Sequence, residues 1–444
     1  MADHYPVTSL AAALLFASAV LRAPAAESDP QEVARKVMAR VADNSGHIQN
    51  YTCVETVERD YFQPAASTLN RACSAILAGR QHPTPDMVLK LQGTDRLRLD
   101  VANTQKGEIF SWVGASRFDD QFVDNVVHEG PIGSGAFGAY LSVIFELDAR
   151  TLTYLGTVTY NGRKLMQYTF AVPQSESHYR IRLSEGDRVS SGYSGSVLVD
   201  PETGDPVHLT LRTDELPEAT GSCQSLSDLD YKRVQIGNHE LLLAERAHQR
   251  FIGRNGSETE NSTTFASCRE YSSESTLNFY QDPGPSSGAA ATAPASAAPA
   301  VPAGLRLVFE LTTPIETATA AVGDRFTAKL TEPLRDGRQI LAPKGAAVAG
   351  RITTMNITYF PSRAGLVGLS PRTVEIKGAK VPLTALPDRG TLFIAGKKSP
   401  KKGLEIFLPP RGEYSGIFQF NGSGYVFRRG FASEWVTVFQ PRSR

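Results

Sequence analysis

Beyond its first 26 residues the chain has no apolar run of 18 residues, so no transmembrane span is expected. Its 8 histidines are scattered, with no His-Glu-x-x-His or His-x-x-Glu-His spacing. No two of its 4 cysteines stand close enough in sequence to form a zinc clip, so neither a metal nor another cofactor is expected. No Val-Ala-Ile-Lys lysine, His-Arg-Asp loop or Asp-Phe-Gly aspartate is present, which excludes a protein kinase. With no visible nucleophile–base pair or metal set, the chain is expected not to be an enzyme.

Zero net charge conceals an asymmetry. Residues 305–444 hold 21 Lys and Arg against 10 Asp and Glu, a net of +11; the remaining 25 against 36 leave −11 on residues 1–304. The plainer reading is two solvated surfaces of opposite sign that attract each other. The sharper one is a basic half that meets an anionic envelope surface. Lys397, Lys398, Lys401 and Lys402, in the loop from Gly396 to Gly403, are the candidate contacts for that surface. The loop has no interleaved aromatics, so nucleic acid is not an expected partner.

What is present begins with an export signal. Leu10 to Leu21 is apolar apart from Ser18, and Ala23-Pro24-Ala25 supplies small residues for cleavage, so 1–26 reads as a signal peptide. Its first residues lack Lys and Arg, which is atypical, and no Cys follows the run to carry a lipid anchor. The protein is expected in the periplasm, attached to the outer membrane, or secreted. In that oxidising setting four cysteines favour two disulfides. Of three possible connectivities, Cys53–Cys268 with Cys73–Cys223 is favoured. Cys53 and Cys268 fall in the first and near-last strands of one domain, and the other two lie near loops.

The 444 residues suggest two or three domains, and 41% hydrophobic residues suffice for cores. Asp29 caps a helix with Pro30 at its first position and Glu32 completing a capping box. Val33, Val37 and Val41 form its apolar stripe, and Gly46 is expected to end it. From Tyr51 the period is two. Leu97, Leu99 and Val101 alternate with charges, as do Tyr179, Ile181 and Leu183; Met166 to Val172 and Val207 to Leu211 follow the same rule. One segment differs: Phe137, Tyr140, Leu141, Ile144 and Phe145 have helical spacing, with Ser134 as a possible cap. That helix is expected to cover the mouth or concave face of a curved sheet.

Gly133-Ser134-Gly135-Ala136-Phe137-Gly138 matches a kinase glycine loop but has none of its companions. Gly192-Tyr193-Ser194-Gly195-Ser196 approaches a nucleophile elbow but reads as a hairpin turn. His178, His208 and His248 could meet on a sheet, yet without ligand spacing they read as partly exposed strand histidines. Residues 281–304, nearly all Pro, Ala, Ser and Gly, form a linker expected to let the two units move relative to each other. After it, short strands with frequent turns over 305–444 suggest a small β-barrel or β-sandwich.

The N-terminal helix, the long antiparallel meander, the internal apolar helix and the V-D-P-x-T-G-x-P hairpin at Val199–Pro206 together resemble the periplasmic lipoprotein-carrier superfamily (LolA/LolB-like, including RseB). The resemblance covers roughly residues 29–280, within a domain expected over 27–280. It implies an open antiparallel β-barrel whose concave face binds acyl chains or lipidated partners. The expected fold is thus mainly β: an open curved sheet with an N-terminal helix and a covering helix, then a second small β domain. The expected function is binding of an apolar ligand, lipid or acylated partner. Trp112, Phe118, Phe137, Tyr140, Leu141, Ile144 and Phe145 are the candidate cleft residues. The alternative is a structural or adhesive envelope component that works through the basic half.

Overall fold

The computed structural model describes residues 28–49, 51–65, 71–82, 84–104, 107–115, 118–120, 122–148, 152–183, 186–270, 301–388, 404–407 and 414–439. The signal segment, residues 281–300 of the linker and the lysine loop lie outside the described residues.

Helix α1 spans Pro30–Ile48. The Asp29 carboxylate accepts from Gln31 N at 3.1 Å, and Val33, Val37, Val41 and Ile48 are fully buried. Each valine so buried contributes about 2 kcal/mol relative to exposure. The helix passes through Gly46 rather than ending there. Its last turn is held by tertiary contacts that outweigh the cost of a helical glycine. Asn44 exchanges hydrogen bonds with the Leu242 backbone at 3.0 and 2.7 Å, and Ile48 enters the core.

Ten strands build the N-terminal sheet: β1 (Tyr51–Pro64), β2 (Leu89–Thr104), β3 (Gly107–Trp112), β4 (Thr153–Tyr160), β5 (Arg163–Val172), β6 (Tyr193–Val199), β7 (Pro206–Thr213), β8 (Ser222–Ile236), β9 (His239–Gly253) and β10 (Glu258–Glu270). Every pairing is antiparallel, in the order β4-β5-β6-β7-β8-β9-β10-β1-β2-β3. Among the described residues β3 and β4 do not pair, so the sheet curves without closing. Alternation sends Met166, Tyr168, Phe170 and Val172 to the covered face with Val197, Leu209 and Leu229. The hairpin between β6 and β7 is an Asx turn: Asp200 accepts from Glu202 N and Thr203 N at 2.9 and 3.2 Å. Its tip holds α1, with Arg40 Nε donating to Thr203 O at 3.1 Å.

Cys53 is joined to Cys268, tying β1 to β10 across the 215 positions between them. Cys73, at the start of helix α2 (Cys73–Gln81), is joined to Cys223 on β8.

The C-terminal unit is a second antiparallel β structure around Phe309, Phe326, Phe418 and Trp435, all fully buried. Its main strands are β11 (Arg306–Leu311), β12 (Arg325–Leu330), β13 (Ala347–Thr358), β14 (Ala364–Ile376), β15 (Gly416–Asn421) and β16 (Ala432–Thr437), ordered β16-β11-β12-β13-β14-β15. Val301 packs on this core and Pro302 O accepts from Thr437 Oγ1, so 301–304 belong with this unit rather than with a linker.

The two units are docked, contrary to the freedom expected of a Pro/Ala-rich connection. β13 pairs with β2 over Asn356↔Asp95, Ile357↔Thr94 and Thr358↔Gly93, on the stretch that β3 leaves uncovered. Beside it Arg98 N donates to Val322 O and Val322 N to Arg96 O, both at 2.8 Å. Arg98 Nη1 reaches both oxygens of Asp324 at 2.5 Å, and Arg96 Nη1 donates to Ala318 O at 2.8 Å. At this pair the acidic unit supplies the arginine and the basic unit the carboxylate, the reverse of the halves' net charges.

Candidate functional site

The segment expected to cover the sheet does so, with a different local structure. Ala139–Ser142 is α-helical and Val143–Asp148 continues as a π-helix, a wide turn rarely sustained and frequent at functional sites. Tyr140, Leu141, Ile144 and Phe145 pack against α1 and the sheet in one core, and Phe137 against β1 and β2 in the next. All five are at least 94% buried.

Ser134 does not cap this helix. The cap comes from β3: the Glu108 carboxylate accepts from Gly135 N at 2.6 Å, Gly138 N at 3.0 Å and Ala139 N at 3.2 Å. The glycine loop is therefore an anion cradle whose anion is the chain's own side chain. Its glycines are needed for fit. Gly135 has φ +107°, where L side chains are strained, and a Cβ on Gly138 would lie 2.9 Å from Ile48 Cδ1. Burial raises the Glu108 pKa, opposed by these backbone donors.

A second carboxyl lies close by. Glu55, on β1 between Cys53 and Val57 in the covered register, is 96% buried. Burial and then the charge of Glu108 push its pKa well above the ordinary carboxyl value, which favours the protonated form. Tyr231 adds a buried hydroxyl without a hydrogen-bond partner, and burial and then Glu108 raise its pKa. The Tyr140 hydroxyl accepts from Gln249 Nε2 at 2.9 Å, lies 3.3 Å from Ser227 Oγ, and its ring stacks on Tyr179. At the far end of the π-helix, Asp148 accepts from Tyr193 OH and His178 N, both at 2.9 Å, and bonds the His178 ring. Carboxylates thus pin the covering helix at both ends: Glu108 at its start, Asp148 at its finish.

The other candidate residues lie elsewhere. Trp112 ends β3 at the junction of the two units, where Gly323 approaches so closely that a Cβ would sit 2.8 Å from its ring. Phe118 is half-buried in the loop after β3. His178, His208 and His248 do not meet; each has its own carboxylate, Asp148, Asp230 and Glu260 respectively. Among the described residues no three His, Cys, Asp or Glu side chains gather as metal ligands. Nor is any described helix long and apolar enough to cross a membrane.

Glu55, Glu108 and Asp148 were not singled out from the sequence. For the first two a signal existed: each is an acidic residue in the apolar register of a strand, Glu55 with Cys53 and Val57, Glu108 with Phe110 and Trp112. On the opposite face of the sheet is a groove of about 890 Å³ lined by Thr169, Ser196, Thr210, Arg212, His248 and Arg250, among others. No cleft candidate lines it.

No family model and no curated protein matches the chain. Among solved structures it is similar to a domain described as an outer membrane lipoprotein-sorting protein from Vibrio parahaemolyticus, with TM-score 0.27, 11% identity, 54% of this chain and 94% of that one. A LolA superfamily protein from Nitrosomonas europaea gives TM-score 0.26 and 9% identity over 54% of this chain and 91% of that one. A DUF1329 family protein from Desulfovibrio piger gives 0.24 and 8% over 55% and 94%.

Proposed function

We propose that the protein is a non-catalytic binding protein of the cell envelope that takes an apolar ligand, a lipid or the acyl chain of a lipidated partner. The site is the concave face of the N-terminal sheet, reached when the covering helix lifts. The observation that carries this reading is the way that helix is held. Its apolar side chains fill a face of an open sheet, and polar contacts fasten it at both ends, in a π-helical geometry less favourable than α. A ligand chain of equivalent area can replace the helix's apolar contacts, leaving only the polar clasps to be broken. The resemblance in sequence supports an envelope location and a lipid or lipoprotein partner.

The test is titration of the mature full chain with a fluorescent long-chain fatty acid, wild type beside Glu108→Gln. Saturable binding, tightened in Glu108→Gln because the lid is less firmly clasped, is expected. Absence of binding in both folded proteins overturns the reading.

A further inference from the structure

Two arginines of the C-terminal unit, Arg325 and Arg351, meet the turn after β3, and a third, Arg372, stands on the next strand. Arg325 on β12 and Arg351 on β13 are direct cross-strand partners, a placement in which like charges repel. They reach adjacent residues of the N-terminal unit, Val113 and Gly114. Arg351 Nη1 donates to Val113 O at 3.1 Å and to Gly323 O at 2.6 Å. The Arg325 guanidinium lies over Gly114, where a Cβ would meet its Cζ and Nε at 3.0 Å. Arg372, on the neighbouring strand β14 beside the bulge opposite Ala349 and Gly350, is the third. Burial first, then the charges of Arg325 and Arg372, lower the Arg351 pKa.

Two carboxylates of the N-terminal unit, Asp119 and Asp100, face Arg351 and offset part of this. Both are engaged elsewhere: Asp119 accepts from Ser111 Oγ at 2.9 Å and Asp100 from Gly114 N at 2.7 Å. Among the described residues neither is ion-paired with the three arginines. The contact between the units therefore sets three arginines against two carboxylates, a net positive charge at its own seam.

We propose that Arg325, Arg351 and Arg372 form a binding site for a phosphate-type oxyanion at this seam. A carboxylate offers two oxygens, whereas a tetrahedral phosphate offers acceptors in several directions and up to two negative charges, which suits three guanidinium forks arriving from separate strands. The phosphate of an anionic lipid headgroup and free inorganic phosphate share this chemistry. The site lies outside the cluster beneath the covering helix, and its existence does not depend on the apolar-ligand reading.

The test uses the mature full chain, wild type and the double variant Arg325→Gln/Arg372→Gln. Both positions are exposed and neither makes the carbonyl contacts of Arg351, so the fold is retained; circular dichroism checks this. Binding is measured to inorganic phosphate by calorimetry, and to phosphatidylglycerol and phosphatidylcholine vesicles by sedimentation, with chloride at matched ionic strength as control. Saturable phosphate binding, weakened about tenfold or more in the variant, supports a site for the free anion. Binding only to phosphatidylglycerol vesicles, lost in the variant, supports the site and assigns it to a lipid headgroup. No binding above chloride, or equal binding by the variant, overturns the proposal.

Discussion

The Glu108 carboxylate accepts a hydrogen bond from Gly138 N at 3.0 Å, so a residue of β3 caps a helix from 30 positions before its N-cap residue. Gly135 N and Ala139 N complete the cradle. Glu108→Ala strands three backbone donors in a buried place and is expected to cost about 2 kcal/mol. The loss should begin locally. In hydrogen exchange, amides of 135–148 should open before those of β8 and β9, and uniform loss of protection across the sheet would contradict a clasp at this point.

Glu55 gives a pH signature. Its pKa in the folded protein lies well above the ordinary 4.5, so the folded state keeps a proton that the unfolded chain releases. Its stabilising contribution is full below that ordinary value and is lost as pH rises through the folded pKa. Glu108 shifts in the same direction, and its charge adds to the shift of Glu55. Glu55→Gln should therefore be more stable than wild type at pH 8, with a smaller gap at pH 4, as read from urea midpoints. An unchanged pH slope in the variant would place the titration elsewhere.

The strands were legible because a half-covered sheet imposes period two. Leu97, Leu99 and Val101, and Met166 to Val172, point where the alternation placed them. The covering helix was located by its apolar spacing, but not how it is held. A Glu in an apolar register 30 positions upstream has no local signature, whereas Ser134 sits where a cap is usually sought. Gly46 read as a stop because local rules do not see Ile48 entering the core or Asn44 bonding β9. The docking of the two units was likewise invisible, since Arg98 and Asp324 stand 226 positions apart and a Pro/Ala-rich connection reads as freedom. Trp112 was assigned to the cleft for its apolar ring, yet that ring serves the same docking.

Gly323 tests that docking. Its φ is +102°, and a Cβ would lie 2.3 Å from Arg98 O and 2.8 Å from the Trp112 ring. Gly323→Ala should part the seam while leaving both cores folded. Arg98→Ala should do less, by about 1 kcal/mol, because its pair with Asp324 is partly exposed. Small-angle scattering should show a larger radius of gyration for Gly323→Ala at unchanged circular dichroism, and an unchanged radius would count against the seam's dependence on this close approach.

The disulfides predict a redox dependence. Cys73→Ser/Cys223→Ser frees α2 from β8 and is expected to cost about 2–5 kcal/mol. Thermal melts with and without a reductant should differ for wild type and less for this variant, which retains Cys53–Cys268. Equal shifts in both would mean that the Cys73–Cys223 link adds no stability.

An open sheet leaves unpaired amide and carbonyl groups that can recruit a neighbouring chain. On β2 the exposed length is divided: β3 takes Leu99 to Thr104 and β13 takes Gly93 to Asp95. The C-terminal unit therefore serves as a built-in edge guard, and parting the seam should be followed by self-association of the uncovered strands.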